Sequence, residues 1–99
     1  MRNFLKKLNQ ASVKREAKWK RVYHDNGQLW YEVPYITGQA QGTARRYHPN
    51  GQLECETPYV NDKKHGMERW YNSEGELETE ILYLEGQKKI HTVHHPQVY

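Results

Sequence analysis

Nucleophilic catalysis needs a Ser, Cys or Thr held by a base that is itself oriented. The 99-residue chain has one cysteine, Cys55, and serines at Ser12 and Ser73, none beside an evident His and carboxylate pair. Cys55 stands where Tyr31 and Thr79 stand at a spacing of 24 residues, so a small core residue is its expected role. His91, His94 and His95 have metal-ligand chemistry, and two histidines on one strand face can ligate when a third group converges. On a strand His91 and His95 share a face and His94 points away; the segment then meets Pro96, so solvated tail histidines are the reading. Glu32, Glu56 and Glu80 could pair for acid–base work, but their regular recurrence marks them as framework or cross-strand charge partners. Every glycine falls in a turn and none in a phosphate loop. The expectation is no enzyme, no cofactor, no metal and no small-molecule substrate.

The recurrence extends to the whole middle of the chain. Residues 19–42, 43–66 and 67–90 align without gaps, with Tyr23, Tyr47 and Tyr71 in one column and Gly27, Gly51 and Gly75 in another. Leu29, Leu53 and Leu77 form a third, the recurring glutamates a fourth, and Tyr35, Tyr59 and Tyr83 a fifth. DNG, PNG or SEG separates a Tyr-bearing from a Leu-bearing segment in each copy, the mark of a β-hairpin. Glu74 disfavours a two-residue turn that needs positive φ before the glycine, whereas Pro49 suits the first position of a type I turn followed by a left-handed glycine. That loop opposes Tyr23 to Leu29, Tyr47 to Leu53 and Tyr71 to Leu77.

Alternation then predicts a core face with both tyrosines of each copy, the leucines, and Tyr31, Val33, Cys55, Thr57, Thr79 and Ile81. The opposite, solvated face collects Trp30, Glu32, Arg46, Glu54, Glu56, Trp70, Glu78 and Glu80, with Arg46 across from Glu54 and Trp70 across from Glu78. Consecutive hairpins continue as an antiparallel meander of about seven strands, the last near Lys89–His94. The fold class is mainly β, with an N-terminal amphipathic helix, because Phe4, Leu5, Leu8, Ala11 and Ser12 fall at helical spacing. The expected divisions are a basic helix or arm at 1–18, the repeats at 19–90, and a strand end and tail at 91–99.

Charge follows the same division. Residues 1–21 hold eight basic residues against Glu16 alone, a balance of +7, and residues 22–99 hold seven basic and eleven acidic, a balance of −4. Lys6, Lys7, Lys14, Arg15, Lys18, Lys20 and Arg21 carry most of the arm's charge. The helix is expected to cap the first repeat; a basic arm for anionic lipid, nucleic acid or an acidic groove is the sharper alternative. Only 35% of the chain is hydrophobic, with eight tyrosines and three tryptophans, which favours a shallow sheet surface over a deep core. The absence of an apolar run of membrane length, of a secretory leader and of paired cysteines gives a cytoplasmic expectation.

The pattern Y-x-x-N-G-x-L-x-x-E-x-x-Y-x-x-G-x-x-x-G at period 24 resembles the second variant of the MORN repeat, and in particular bacterial toxin–antitoxin antitoxins built from tandem copies. The resemblance covers residues 19–90 and departs from the pattern at Asp62, Glu74 and Ile90. It implies a non-catalytic hairpin meander whose repeat surface binds and neutralises a partner protein: a toxin, a host enzyme or a defence protein. Trp30, Arg46, Arg69 and Trp70 are the residue types that form interface hot spots and are the expected contacts. An acidic body would mimic a polyanion; this one, at −4 beside an arm at +7, points instead to steric capture. The alternative is nucleic-acid or anionic-membrane binding through residues 1–21 with the repeats as scaffold.

Overall fold

The computed structural model describes residues 16–94 as one antiparallel sheet. Its seven long strands are β1 (Lys18–Tyr23), β2 (Leu29–Ile36), β4 (Gly42–Tyr47), β5 (Leu53–Val60), β7 (Gly66–Tyr71), β8 (Leu77–Leu84) and β9 (Gln87–Val93), adjacent in chain order. Two short strands, β3 (Gln39–Ala40) and β6 (Lys63–Lys64), extend the hairpins at the far ends of β2 and β5. The meander expected from the repeats is therefore the fold. The amphipathic helix lies outside the described residues, and among those described there is no helix. β1 starts at Lys18, so Lys18, Lys20 and Arg21 are residues of an edge strand rather than of an arm.

The hairpin tips have the expected loop. Gly27 N–H bonds His24 C=O at 2.9 Å, His24 N–H bonds Gln28 C=O at 2.8 Å, and Gly27 has φ of 87°. The same pattern recurs around Gly51 and Gly75, at φ of 91° and 88°. Tyr23, Tyr47 and Tyr71 pair with Leu29, Leu53 and Leu77, as the loop requires.

One residue further along, each hairpin departs from simple alternation. Val22 pairs with Tyr31, Arg46 with Cys55 and Trp70 with Thr79, leaving Trp30, Glu54 and Glu78 as extra residues in β-bulges. A one-residue offset exchanges the faces. Arg46 and Trp70 consequently join Cys55 and Thr79 instead of lying across from Glu54 and Glu78. The first tyrosine of each copy and its leucine move the other way: Tyr71 alternates with Trp70, and its hydroxyl donates to Glu56 at 3.2 Å. The core columns of Tyr35, Tyr59 and Tyr83 with Tyr31, Val33, Cys55, Thr57, Thr79 and Ile81 remain together on what we call the inner face. Cys55, Thr57 and Ile81 are buried there.

Consecutive repeats are tied at both ends of the strands. At the tips, the ring N–H of His24 donates to Tyr47 C=O at 2.9 Å, and that of His48 donates to Tyr71 C=O at 3.0 Å. Asn26 Nδ2 donates to Pro49 C=O at 3.0 Å and Asn50 Nδ2 to Ser73 C=O at 2.9 Å. In the third copy Asn72 and Glu74 replace the reaching His and Asn. No fourth tip follows among the described residues, and Asn72 bonds within its own loop. At the far ends, Asp62 N–H bonds Ala40 C=O at 3.0 Å and Gly86 N–H bonds Lys64 C=O at 2.8 Å. Asp62, a departure from the repeat pattern, also accepts Ala40 N–H through its carboxylate at 2.7 Å.

The far turns are two-residue turns with both φ values positive: 48° and 80° at Thr37 and Gly38, 49° and 70° at Asn61 and Asp62, 51° and 83° at Glu85 and Gly86. A β-branched residue is strained at such φ, and Thr37 is exposed. Thr37→Asn is expected to stabilise the chain by about 0.5–1 kcal/mol, read as a higher midpoint in urea denaturation; an unchanged or lower midpoint would contradict the strain.

Candidate functional site

The two faces of the sheet have different chemistry. Across the outer face runs a row of alternating charge, Arg21, Glu32, Arg45, Glu56, Arg69 and Glu80, each opposite the next on the neighbouring strand. Arg21 Nε lies 3.2 Å from Glu32 and Arg69 Nε lies 3.0 Å from Glu80. The recurring glutamates are thus partners of cross-strand arginines. Glu80 also receives His94 Nε2 at 2.8 Å, and the bonds from His94 and Arg69 hold its carboxyl below the usual range. His94 is therefore pinned to the sheet, not part of a solvated tail.

The inner face holds a groove of about 340 Å³ that crosses the strands from β2 to β7. Val33, Ala44 and Thr57 form its floor, two residues from each wall along their strands. Tyr31, Arg46 and Trp70 line one wall, Tyr59 and Lys64 the other. The floor is low where Val33, Ala44 and Thr57 adjoin, and the bulge decides which residues flank it.

Glu68 closes one end of the floor and is 2% exposed. Its Oε2 accepts Thr57 Oγ1 at 2.7 Å and Lys64 Nζ at 3.0 Å, and its Oε1 accepts Trp70 Nε1 at 2.8 Å. Burial alone would raise this carboxyl's pKa, but the bonds from Thr57, Trp70 and Lys64 outweigh it and hold the group below its ordinary value. Burial likewise works against the Lys64 charge, and Glu68 more than restores it, so the Lys64 pKa is raised. Lys64 Nζ also lies 4.7 Å from the centre of the Tyr83 ring. Cys55, 3.4 Å from Thr57 Oγ1, has its thiol pushed up to about 11, chiefly by burial, and is a protonated core residue at neutral pH.

The four residues expected at an interface divide between the faces. Arg46 and Trp70 stand on the same groove wall, and Trp30, a bulge residue, is beside it, stacked on His24 at 5.4 Å and edge-on to Tyr31 at 5.6 Å. Arg69 belongs to the outer charge row. Glu68 and Lys64 complete the groove without having stood out in the sequence; the trace they left is that Glu68 occupies the column of Lys20 and Ala44. Among the described residues no three His, Cys, Asp or Glu side chains converge as metal ligands.

Three stretches of the sheet, residues 20–36, 40–61 and 64–85, match the MORN repeat variant. The chain belongs to that family. The matched stretches together span more than half of its length and coincide with the three hairpin units. No curated protein and no solved structure matches the chain. In this MORN array the Glu68 cluster is particular to the third repeat, because the first two have Lys20 and Ala44 in its place.

The cluster makes stability depend on acid. A carboxyl whose pKa is lowered in the folded state contributes fully above the unfolded value of about 4.3, and loses that contribution as pH falls through the folded value. Glu68→Gln is expected to cost about 1–3 kcal/mol near pH 7 in urea denaturation, and the gap to the parent chain should narrow towards about pH 3. Parallel stability curves across that range would show that the carboxylate form is not what holds the cluster.

Proposed function

We propose that this chain is a non-catalytic protein-binding module that neutralises or inhibits a partner protein in the manner of an antitoxin, an immunity protein or an inhibitor carried by a phage or mobile element. The observation that carries the reading is the inner-face groove, where Arg46 and Trp70 share a wall. The Arg46 side chain is 47% exposed and lies 3.9 Å from Glu54, which is itself engaged by His48 Nδ1 at 3.2 Å. A half-free guanidinium next to aromatic rings is the composition of an interface hot spot. The buried thiol of Cys55 and the fully bonded Glu68 supply neither a nucleophile nor a free base at the groove. Steric capture by this face, in the cytoplasm, is consistent with the chain's modest net charge.

A second reading rests on β1. Trp19 is 42% exposed, the Arg21 guanidinium lies 5.2 Å from the centre of its ring on the outer face, and Lys18 and Lys20 alternate with them along the same edge strand. Cations interleaved with an exposed ring suit a single-stranded nucleic acid or an anionic membrane, and affinity would then fall steeply with salt.

Affinity capture from source lysate separates the two. The full chain is compared with Arg46→Glu and with a chain in which Lys6, Lys7, Lys14, Arg15, Lys18 and Lys20 are changed to Ala, each eluted at graded salt. Capture of a single stoichiometric protein, lost with Arg46→Glu and kept without the arm's charges, is the expected result. Nucleic acid or lipid lost at moderate salt, and absent without those charges, would replace the protein-binding reading with the second one.

A further inference from the structure

The outer face carries more than its charge row. Two residues further along each long strand runs a second row whose members are all uncharged. Trp19 opposes Pro34, Met67 and Ile90 both oppose Leu82, and Pro58 stands between them. One more step on the same face brings Val60 and Leu84, which widen the row into a band. Trp19, Val60, Leu84 and Ile90 are 42%, 45%, 40% and 58% exposed, so apolar surface meets solvent from β1 to β9. The band is low at its prolines: a Cβ on Gly42 would come within 3.3 Å of the Pro34 ring, and one on Gly66 within 2.9 Å of the Pro58 ring.

The dimensions of the band select its occupant. Strands about 4.8 Å apart make it roughly 29 Å long, and two same-face positions about 7 Å apart make it about as wide as one α-helix. That footprint is roughly 300 Å², well under the roughly 800 Å² per partner buried in a stable complex of separate chains. A second copy or a globular partner would therefore find too little surface. A segment of the same chain needs less, because its tether supplies a high effective concentration.

Residues 1–15 lie outside the described residues and join β1 through Glu16 and Ala17, beside Trp19, the first member of the band. Phe4, Leu5, Leu8 and Ala11 fall at helical spacing, and at about 1.5 Å per residue a helix over this segment reaches roughly 22 Å, from β1 to β7. Charge separates the two faces of the sheet. Lys18, Lys20 and Lys88 stand on the inner face with Arg46 and Lys64, so Lys6, Lys7, Lys14 and Arg15 would meet like charge there. The outer band presents no cation along its row, and Glu32 and Glu56 lie one same-face step to its side.

We infer that residues 1–15 form an amphipathic helix that lies across the outer face on this band, from Trp19 to Met67. The helix is a second layer over the first two repeats and the start of the third, and it leaves the inner face open. It is independent of what the inner face binds.

Nuclear Overhauser contacts in the full-length chain test this, because Phe4 is its single phenylalanine. The Phe4 ring is expected to contact the methyl groups of Val60 or Met67 on the outer face and none of Val33, Thr57 or Ile81 on the inner face. Amides of residues 4–12 should exchange with solvent at least about tenfold more slowly than in Leu8→Asp, and Val60→Asp should release them to the same extent. Val93→Asp, at an exposed apolar position on the inner face, should leave contacts and exchange unchanged. Amide chemical shifts of β4 to β8 confirm that each variant keeps the sheet. Contacts from Phe4 to the inner-face methyls, no contact with the sheet, or exchange indifferent to both Leu8→Asp and Val60→Asp would overturn the inference. Arg46-dependent capture of a partner would stand in any of those cases, since it reads the other face.

Discussion

A single extra residue in each hairpin decides which side chains share a face of this sheet. With it, Arg46 and Trp70 meet Cys55 and Thr79; without it, they would lie across from Glu54 and Glu78 on the other side. The make-up of both faces follows from that parity. The bulge moves the tyrosine–leucine pairs beside the arginine–glutamate row, and it leaves the opposite face with a line of small residues between taller walls. The groove so formed spans β2 to β7, and Glu68 closes one end of its floor.

The sheet is one layer thick over its described residues, so it lacks the interior that usually stabilises a domain of this size. Its cohesion comes from neighbours in line. His24, His48, Asn26 and Asn50 each reach one repeat forward to a backbone carbonyl, and the far turns bond backbone to backbone across the same interval. Such an array is stabilised by its interfaces between units more than by any one unit. The outer charge row adds complementary contacts that are individually small because they are partly exposed. Glu68 is different in kind: it is a buried carboxylate with three donors, placed where two elements of the groove meet, and it fixes the Trp70 ring and the Lys64 ammonium against each other.

Much of this was legible in the residues. The period of 24, the glycine in a left-handed position, and Tyr23 opposite Leu29 all follow from local turn chemistry, which acts over a few residues and leaves a compositional trace. The departure at Glu74 also has a clear physical sense, since among the described residues an Asn there would have no following tip to reach. The bulge left no such trace. Its extra residues are Trp30, Glu54 and Glu78, which share neither size nor polarity, and its effect appears only in which strand positions oppose one another. For that reason regular alternation puts Arg46 and Trp70 on the wrong face and hides the Glu68 cluster, although Thr57 and Trp70 each stand out alone. The inward position of Cys55 is legible because its column stays on the same face in either register.

The native thiol gives a direct measure of the register. In the bulged pairing Cys55 lies opposite Arg46, and in a regular hairpin it would lie opposite Arg45. A disulfide forms only between cysteines whose Cα atoms are within about 7 Å and whose Cβ atoms point toward each other. Arg46→Cys and Arg45→Cys are therefore oxidised side by side under mild conditions, and the intrachain bond to Cys55 is counted by mass spectrometry. Cross-linking in Arg46→Cys and its absence in Arg45→Cys is the result the bulged sheet predicts. The reverse would place Arg46 on the solvated face and remove the groove wall on which the proposed binding depends.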